Sequence, residues 1–198
     1  MTKVTGSLVW LEPLTLRHEA GLTTQARIVK ALRTQLTKGL TEQGFGKSDL
    51  DRCVYVIRMT GDFVISYPLR ISPVLYIGRG DAFSRLSSHL KRWLNEVDAF
   101  GRDVGIEVRV CRPRRRGRAD MFKYVEADLI AAFCERYGCV PFFNSRRETS
   151  YEDWVDYTAT DEKRLSAAIG VGSGKRPQWA IAPAPANKNY TLYHTGHS

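Results

Sequence analysis

The hydrophobic pattern changes period several times along the 198-residue chain, and each change marks an element. Residues 7–11 read as a short strand that Pro13 stops. Between 24 and 40, Ile28, Leu32, Leu36 and Leu40 recur every fourth residue. That spacing predicts an amphipathic helix, with Thr23 or Thr24 as its cap and Gly39 and Gly44 near its end. Residues 51–58 switch to alternation, with Cys53, Tyr55 and Ile57 set against Val54 and Val56, as in a strand with two different faces. The segment 59–73 is long for a hairpin turn, so the ribbon is expected to continue through 63–67. The β-branched and aromatic run 74–78 is a second strand. Gly78-Arg79-Gly80-Asp81 closes it, with Asp81 placed to cap a helix starting at Ala82. Leu86, Leu90, Trp93, Leu94 and Val97 then form one apolar stripe. Ile106, Val108 and Val110 alternate with Glu107, Arg109 and Cys111 in a third strand, and 120–137 is a last core helix.

Strand, strand, helix, strand, helix is an α+β order, which places a core at 51–147. An N-terminal extension with a basic amphipathic helix occupies 1–50. A C-terminal extension, 148–198, reads as two short helices at 150–157 and 161–169, capped by Ser150 and Thr160, followed by a linker at 170–176 and a flexible tail.

Charge narrows the partners. The formal net charge is +9, which favours a polyanion such as nucleic acid. No apolar run approaches the roughly 18 residues of a membrane-spanning helix. The first residues lack the features of a signal peptide, and four cysteines do not suggest a disulfide scaffold, so a cytoplasmic protein with no membrane partner is expected. Between Ala20 and Thr41 the charged residues are Arg27, Lys30, Arg33 and Lys38, all basic. Such a helix either lies along a phosphate backbone, with Lys30 and Arg33 as contacts, or is a solvated face on a helix covering the sheet. The run of Arg112, Arg114, Arg115, Arg116 and Arg118 is a candidate clamp for DNA phosphates, against a solvated basic loop.

Three features bear on chemistry. Arg85 and His89, four apart, share one face of the helix after the tyrosine-bearing strand. Glu126 falls inside the apolar arc formed by Phe122, Val125, Leu129, Ile130 and Phe133, whereas Lys123, Asp128 and Glu135 lie off it as surface residues. A carboxylate in that arc must be paired, for instance with an arginine, or hold a cation. Two phosphate-loop look-alikes fail: Thr41 stands where the first glycine of one is needed, and Pro177 follows the other instead of a helix. Cys134 and Cys139 with His194 and His197 miss the usual zinc spacings.

Tyr76-Ile77-Gly78 followed by Arg85 and His89 resembles the second half of the GIY-YIG nuclease signature, and Cys53-Val54-Tyr55 stands where Gly-Ile-Tyr would be. The resemblance spans 53–144 and implies a three-stranded antiparallel sheet flanked by helices. By this analogy Tyr55 is the general base that activates water, and Tyr76 positions the water or the phosphate. Arg85 and His89 bind the scissile phosphate, and Glu126 holds one divalent metal, Mg2+ or Mn2+. Pro141-Phe142-Phe143-Asn144 is similar to the family's proline and asparagine after the last helix, which adds Asn144 to the site. Two positions depart from the pattern: Cys53 replaces a glycine, and Arg79 follows the YIG triplet as an added phosphate contact or an exposed residue.

The expected activity is metal-dependent hydrolysis of phosphodiester bonds in DNA, double-stranded by preference. The alternative is an inactive nucleic-acid-binding module with the same fold. Among nucleases, the resemblance is to short stand-alone endonucleases of restriction or phage and mobile-element type. A palindromic double-strand cut would imply a homodimer, since one site cuts one strand.

Overall fold

The computed structural model describes residues 3–61, 63–97, 104–145, 151, 154–171, 177, 179–182 and 184–186. Residues 172–176 of the expected linker, the tail from 187 and the pair His194 and His197 lie outside the described residues, as does Ser150.

A mixed α+β fold is built on an antiparallel sheet. Its centre is β4 (Cys53–Thr60), paired on one side with β7 (Val74–Gly80) and on the other with β8 (Gly105–Arg114). These are the three core strands expected from the sequence, two from alternation and β7 from its β-branched and aromatic run. The sheet is wider than those three, because the outer edge of the ten-residue β8 is covered by β2 (Ser7–Trp10) and β3 (Leu14–Leu16). Each covers one part of β8, and Leu11 N–H donates to the Val110 carbonyl between them. The N-terminal segment therefore supplies strands to the core sheet as well as a helix, and β8 is spared a long open edge. Cys53 through Met59 are all buried, as befits a central strand covered on both faces.

On one face lie α1 (Gln25–Glu42), which buries Leu32, Leu36 and Leu40, and α2 (Ala82–His89). Thr24 stands at the N-cap position of α1 without a side-chain capping bond, whereas Asp81 caps α2 by accepting from Ser84 N–H at 3.0 Å. After His89 the helix widens into a π turn, Leu90–Leu94, and ends in the short α3, Asn95–Val97. On the other face α4 (Met121–Tyr137) packs through Val125, Leu129, Ile130 and Phe133. Gly138 ends α4 with φ +88, and a Cβ there would meet Pro68 at 2.8 Å.

Several expectations need correction. The segment 63–67 does form a strand, β5 (Phe63–Ser66), but it does not lengthen the main ribbon. It pairs with β6 (Ile71–Ser72) and, in parallel, with β10 (Trp179–Ile181). The expected helix at 150–157 is instead β9 at Trp154–Asp156, parallel to β1 (Lys3–Thr5). Its β-favouring Trp154 and Val155 find a partner strand far away in the chain, which local pattern cannot reveal. The last helix, α5, starts at Ala159 and not near Asp161, because Thr158 rather than Thr160 caps it, accepting from Asp161 N–H at 3.1 Å. Asp128 is no ordinary surface residue: it is half-buried, accepts the Tyr157 hydroxyl at 2.6 Å, and has its pKa raised by burial. The arginine run is only partly a loop, since Arg112 and Arg114 belong to β8.

Candidate active site

The site grows from the register between β4 and β7. Tyr55 lies opposite Gly78, and Ile57 opposite Tyr76, so alternation puts both tyrosines and the glycine on the α2 face. Opposite a side chain the Tyr55 ring would have no room. A Cβ at position 78 would lie 2.7 Å from the Tyr55 hydroxyl and 2.5 Å from Tyr76 Cε1. The glycine is therefore a spatial requirement: it lets the two rings approach diagonally, with centroids 6.0 Å apart.

α2 brings the cation and the imidazole. His89 Nε2 is 3.1 Å from the Tyr55 hydroxyl, and its ring centroid is 4.7 Å from that of Tyr76. Trp93, one turn on and inside the π turn, donates its indole N–H to His89 Nδ1 at 3.2 Å. An indole nitrogen only donates, so Nδ1 must be the acceptor and Nε2 carries the imidazole proton. His89 thus donates to the Tyr55 oxygen. Burial, then Arg85 and Arg92, pushes the His89 pKa down to about 4, so the ring is neutral at neutral pH. Arg85, exposed on the same helix, faces both tyrosine hydroxyls, and hydrogen bonding to Tyr55 above all raises its pKa further. Burial, then the neighbouring Tyr76, raises the Tyr55 pKa well above that of a free phenol, against the pull of Arg85. In this state Tyr55 is a protonated phenol whose oxygen already accepts one hydrogen bond.

Glu126 is buried on α4, beyond the other face of β7. Its charge still reaches Tyr55, as one of the contributions raising that pKa. Its partner is Arg79, which is half-buried in an ion pair and not a freely exposed residue. Arg79 Nη1 lies 2.6 Å from Glu126 Oε2 and 3.3 Å from the Tyr151 hydroxyl. Three residues past Tyr76, Arg79 points to the face opposite the tyrosines, and there it meets the one buried acid of α4. Asn144 has a different place from the other site residues. Its side-chain oxygen accepts from Ile77 N–H at 3.0 Å, and its amide donates to the Ile77 carbonyl at 2.8 Å. With Phe143 N–H donating to the Leu75 carbonyl at 2.9 Å, this segment covers the open edge of β7. Asn144 is a positioning residue for Tyr76 and Gly78. Phe143 also stacks on Trp93 at 3.9 Å, which ties that segment to the His89 side of the site.

The basic residues fall into two grooves. Arg112, Arg114, Arg115, Arg116 and Arg118 line one of about 550 Å³, beside the 3-10 turn Lys47–Leu50. Arg112 is partly engaged there, 3.7 Å from Asp49 and 5.4 Å above the Phe45 ring, and Arg118 donates to the Tyr124 hydroxyl at 3.1 Å. Lys30 and Arg33 line a second groove of about 790 Å³ with Lys38, Lys47 and Lys91, between α1 and the helix that carries Arg85.

For a metal, Glu126 is the candidate ligand, and magnesium accepts a single carboxylate when water fills its other positions. Among the described residues, no three or more His, Cys, Asp or Glu side chains cluster as a fuller ligand set. No helix among them is long and apolar enough to cross a membrane. Two participants escaped the sequence reading. Trp93 looked like one more residue of the apolar stripe, although its spacing of four from His89 was a usable signal. Tyr151, on Arg79, gave none. No protein-family model, curated protein sequence or solved structure matches the chain.

Proposed function

We propose that this chain is a divalent-metal-dependent endonuclease that hydrolyses phosphodiester bonds in DNA, a member of the GIY-YIG group. The observation that carries the reading is the pairing of Tyr55 and Tyr76 over the empty position at Gly78, with Arg85 and His89 on the adjoining helix. Hydrolysis of a phosphodiester builds negative charge on the phosphorane, and the exposed Arg85 is placed to meet a phosphate entering beside the tyrosines. Tyr55 must first lose its own proton to solvent, a loss that Arg85 favours against the effect of burial, and the resulting phenolate takes a proton from the attacking water. His89 supports this by donating to the Tyr55 oxygen, an interaction that strengthens as that oxygen gains negative charge. Tyr76, half-buried, holds the water or a phosphate oxygen in line. Asn144 keeps β7 in register beneath both. A magnesium or manganese ion on Glu126, one per site, would supply Lewis-acid stabilisation of the same developing charge. The groove lined by Arg112, Arg114, Arg115, Arg116 and Arg118 and the groove lined by Lys30 and Arg33 supply contacts for the duplex backbone. A double-strand cut would use two copies.

One observation favours the alternative, a binding module with no chemistry: the proposed metal ligand is already neutralised by Arg79. Cleavage of supercoiled plasmid in magnesium decides between them. The wild type is expected to give nicked or linear product and Glu126→Ala none. Binding without cleavage in either magnesium or manganese would establish the module instead.

A further inference from the structure

We propose that Arg79 is a displaceable internal cation that closes the Glu126 carboxylate to a divalent metal until a phosphate of the bound strand draws the guanidinium away. The inference rests on the nuclease reading, and concerns the order in which its components assemble. Glu126 Oε2 is held by Arg79 Nη1 at 2.6 Å, a short charge-assisted contact. The two partners are unequally accessible: the Glu126 side chain is 6% exposed and that of Arg79 is 28% exposed. A species arriving from solvent therefore meets the guanidinium before the carboxylate. A hydrated dication is repelled by that guanidinium, and Arg79 must give up a buried partner before the ion can replace it. A phosphate is attracted. It offers arginine the same geometry of paired oxygens as a carboxylate, so the guanidinium can exchange one for the other with little loss. The carboxylate released in this way is buried and has lost its short charge-assisted contact with Arg79, which favours the uptake of a metal.

The consequence is ordered binding, with metal weak on the free protein and strong on the DNA complex. Manganese binding measured on the full-length chain by the EPR signal of the free ion tests this without any turnover. Without DNA, the wild type is expected to bind Mn2+ about tenfold or more weakly than Arg79→Ala, and Glu126→Gln in the Arg79→Ala background should abolish the gain. A short phosphorothioate duplex that resists cleavage should bring the wild type close to the Arg79→Ala affinity. Arg79→Gln, which keeps a hydrogen-bond donor beside Glu126 without the charge, replaces Arg79→Ala if the latter fails to fold. Equal Mn2+ affinity in wild type and variant without duplex, or a wild-type affinity that the duplex leaves unchanged, would overturn the proposal even if plasmid is cut. A Glu126-dependent gain in the variant, in a protein that cuts no plasmid, would support Arg79 as the closing cation while the nuclease reading fell.

Discussion

Two buried arginine–glutamate pairs lie on the same face of the same sheet, and they differ in what else holds the arginine. Arg58 and Arg109 share Glu107, at 3.5 Å and 2.6 Å. Arg58 also donates to the carbonyls of Ala167, Ala168 and Gly170 at 3.0, 2.9 and 2.8 Å, and Arg109 donates to Ala167 at 3.0 Å. These are carbonyls that the end of α5 (Ala159–Ile169) leaves unpaired, so the cations seal the negative end of that helix. Burial, then Arg109, pushes the Arg58 pKa down to about 10, and the group stays charged at neutral pH. Arg79 and Glu126 form a similar pair on the reverse of the sheet from the two tyrosines, where the arginine also reaches the Tyr151 hydroxyl and is 28% exposed, against 5% for Arg58. A buried ion pair is a structural fastening where helix carbonyls enclose the cation, and it is available for exchange where solvent reaches one partner.

The largest expected effect follows from the closed pair. Arg58→Ala removes the seal from α5 and leaves Glu107 with Arg109 alone, at a cost of about 3–5 kcal/mol in urea denaturation. Hydrogen exchange should show α5 protection falling first. Manganese should not restore the lost stability. A loss below about 1 kcal/mol would place Arg58 among ordinary surface pairs and remove the contrast with Arg79.

How much of this contrast could be read in the sequence depends on distance along the chain. The tyrosine strands, the helix with Arg85 and His89, and the helix with Glu126 each follow a local period, so their place in the α+β order was legible. The anomaly of Glu126 was legible too, because an acid in an apolar arc stands out, but pairing and metal binding stayed open until Arg79 was located. Part of that location was available, since Arg79 is three residues from Tyr76 and a strand turns such positions to opposite faces. Arg58 gave no warning. It reads as the polar end of a strand, and its partners are carbonyls more than a hundred residues away. The same non-locality hid β9, whose partner is at the opposite end of the chain.

A smaller effect separates the two regions by pH. The folded chain holds His89 at a pKa of about 4, against 6.5 for an unperturbed imidazole, so the unfolded chain takes the proton first as pH falls. The stability that depends on neutral His89 is intact above about pH 6.5, declines as pH falls toward about 4, and is lost below it, by on the order of 2–3 kcal/mol in all. His89→Gln should flatten this limb in denaturation curves taken between those values. Arg58→Ala should lower the whole curve and leave its shape unchanged, because its charge does not titrate in that range. If His89→Gln leaves the slope unaltered, the donor role of Trp93 and the neutral state of His89 are both wrong.

The smallest expected effect extends the comparison to DNA binding. Arg109, whose Nη1 donates to the Ala167 carbonyl of α5 and whose Nε is paired with Glu107, is less available to a phosphate than the exposed Arg116 in the groove beside β8. Each phosphate neutralised releases condensed counterions, so losing one contact lowers the slope of log affinity against log salt by about 0.9 for duplex DNA. Arg116→Ala should therefore reduce that slope by about this amount and weaken binding evenly across unrelated sequences. Arg109→Ala should leave the slope where it was, even though it removes the same formal charge from the chain. Equal changes in the two slopes would mean that net charge alone governs binding and that the groove has no special part in it. A fall for Arg116→Ala alone would mean that what an arginine contributes to DNA binding is set by which of its N–H groups the fold has left unspent.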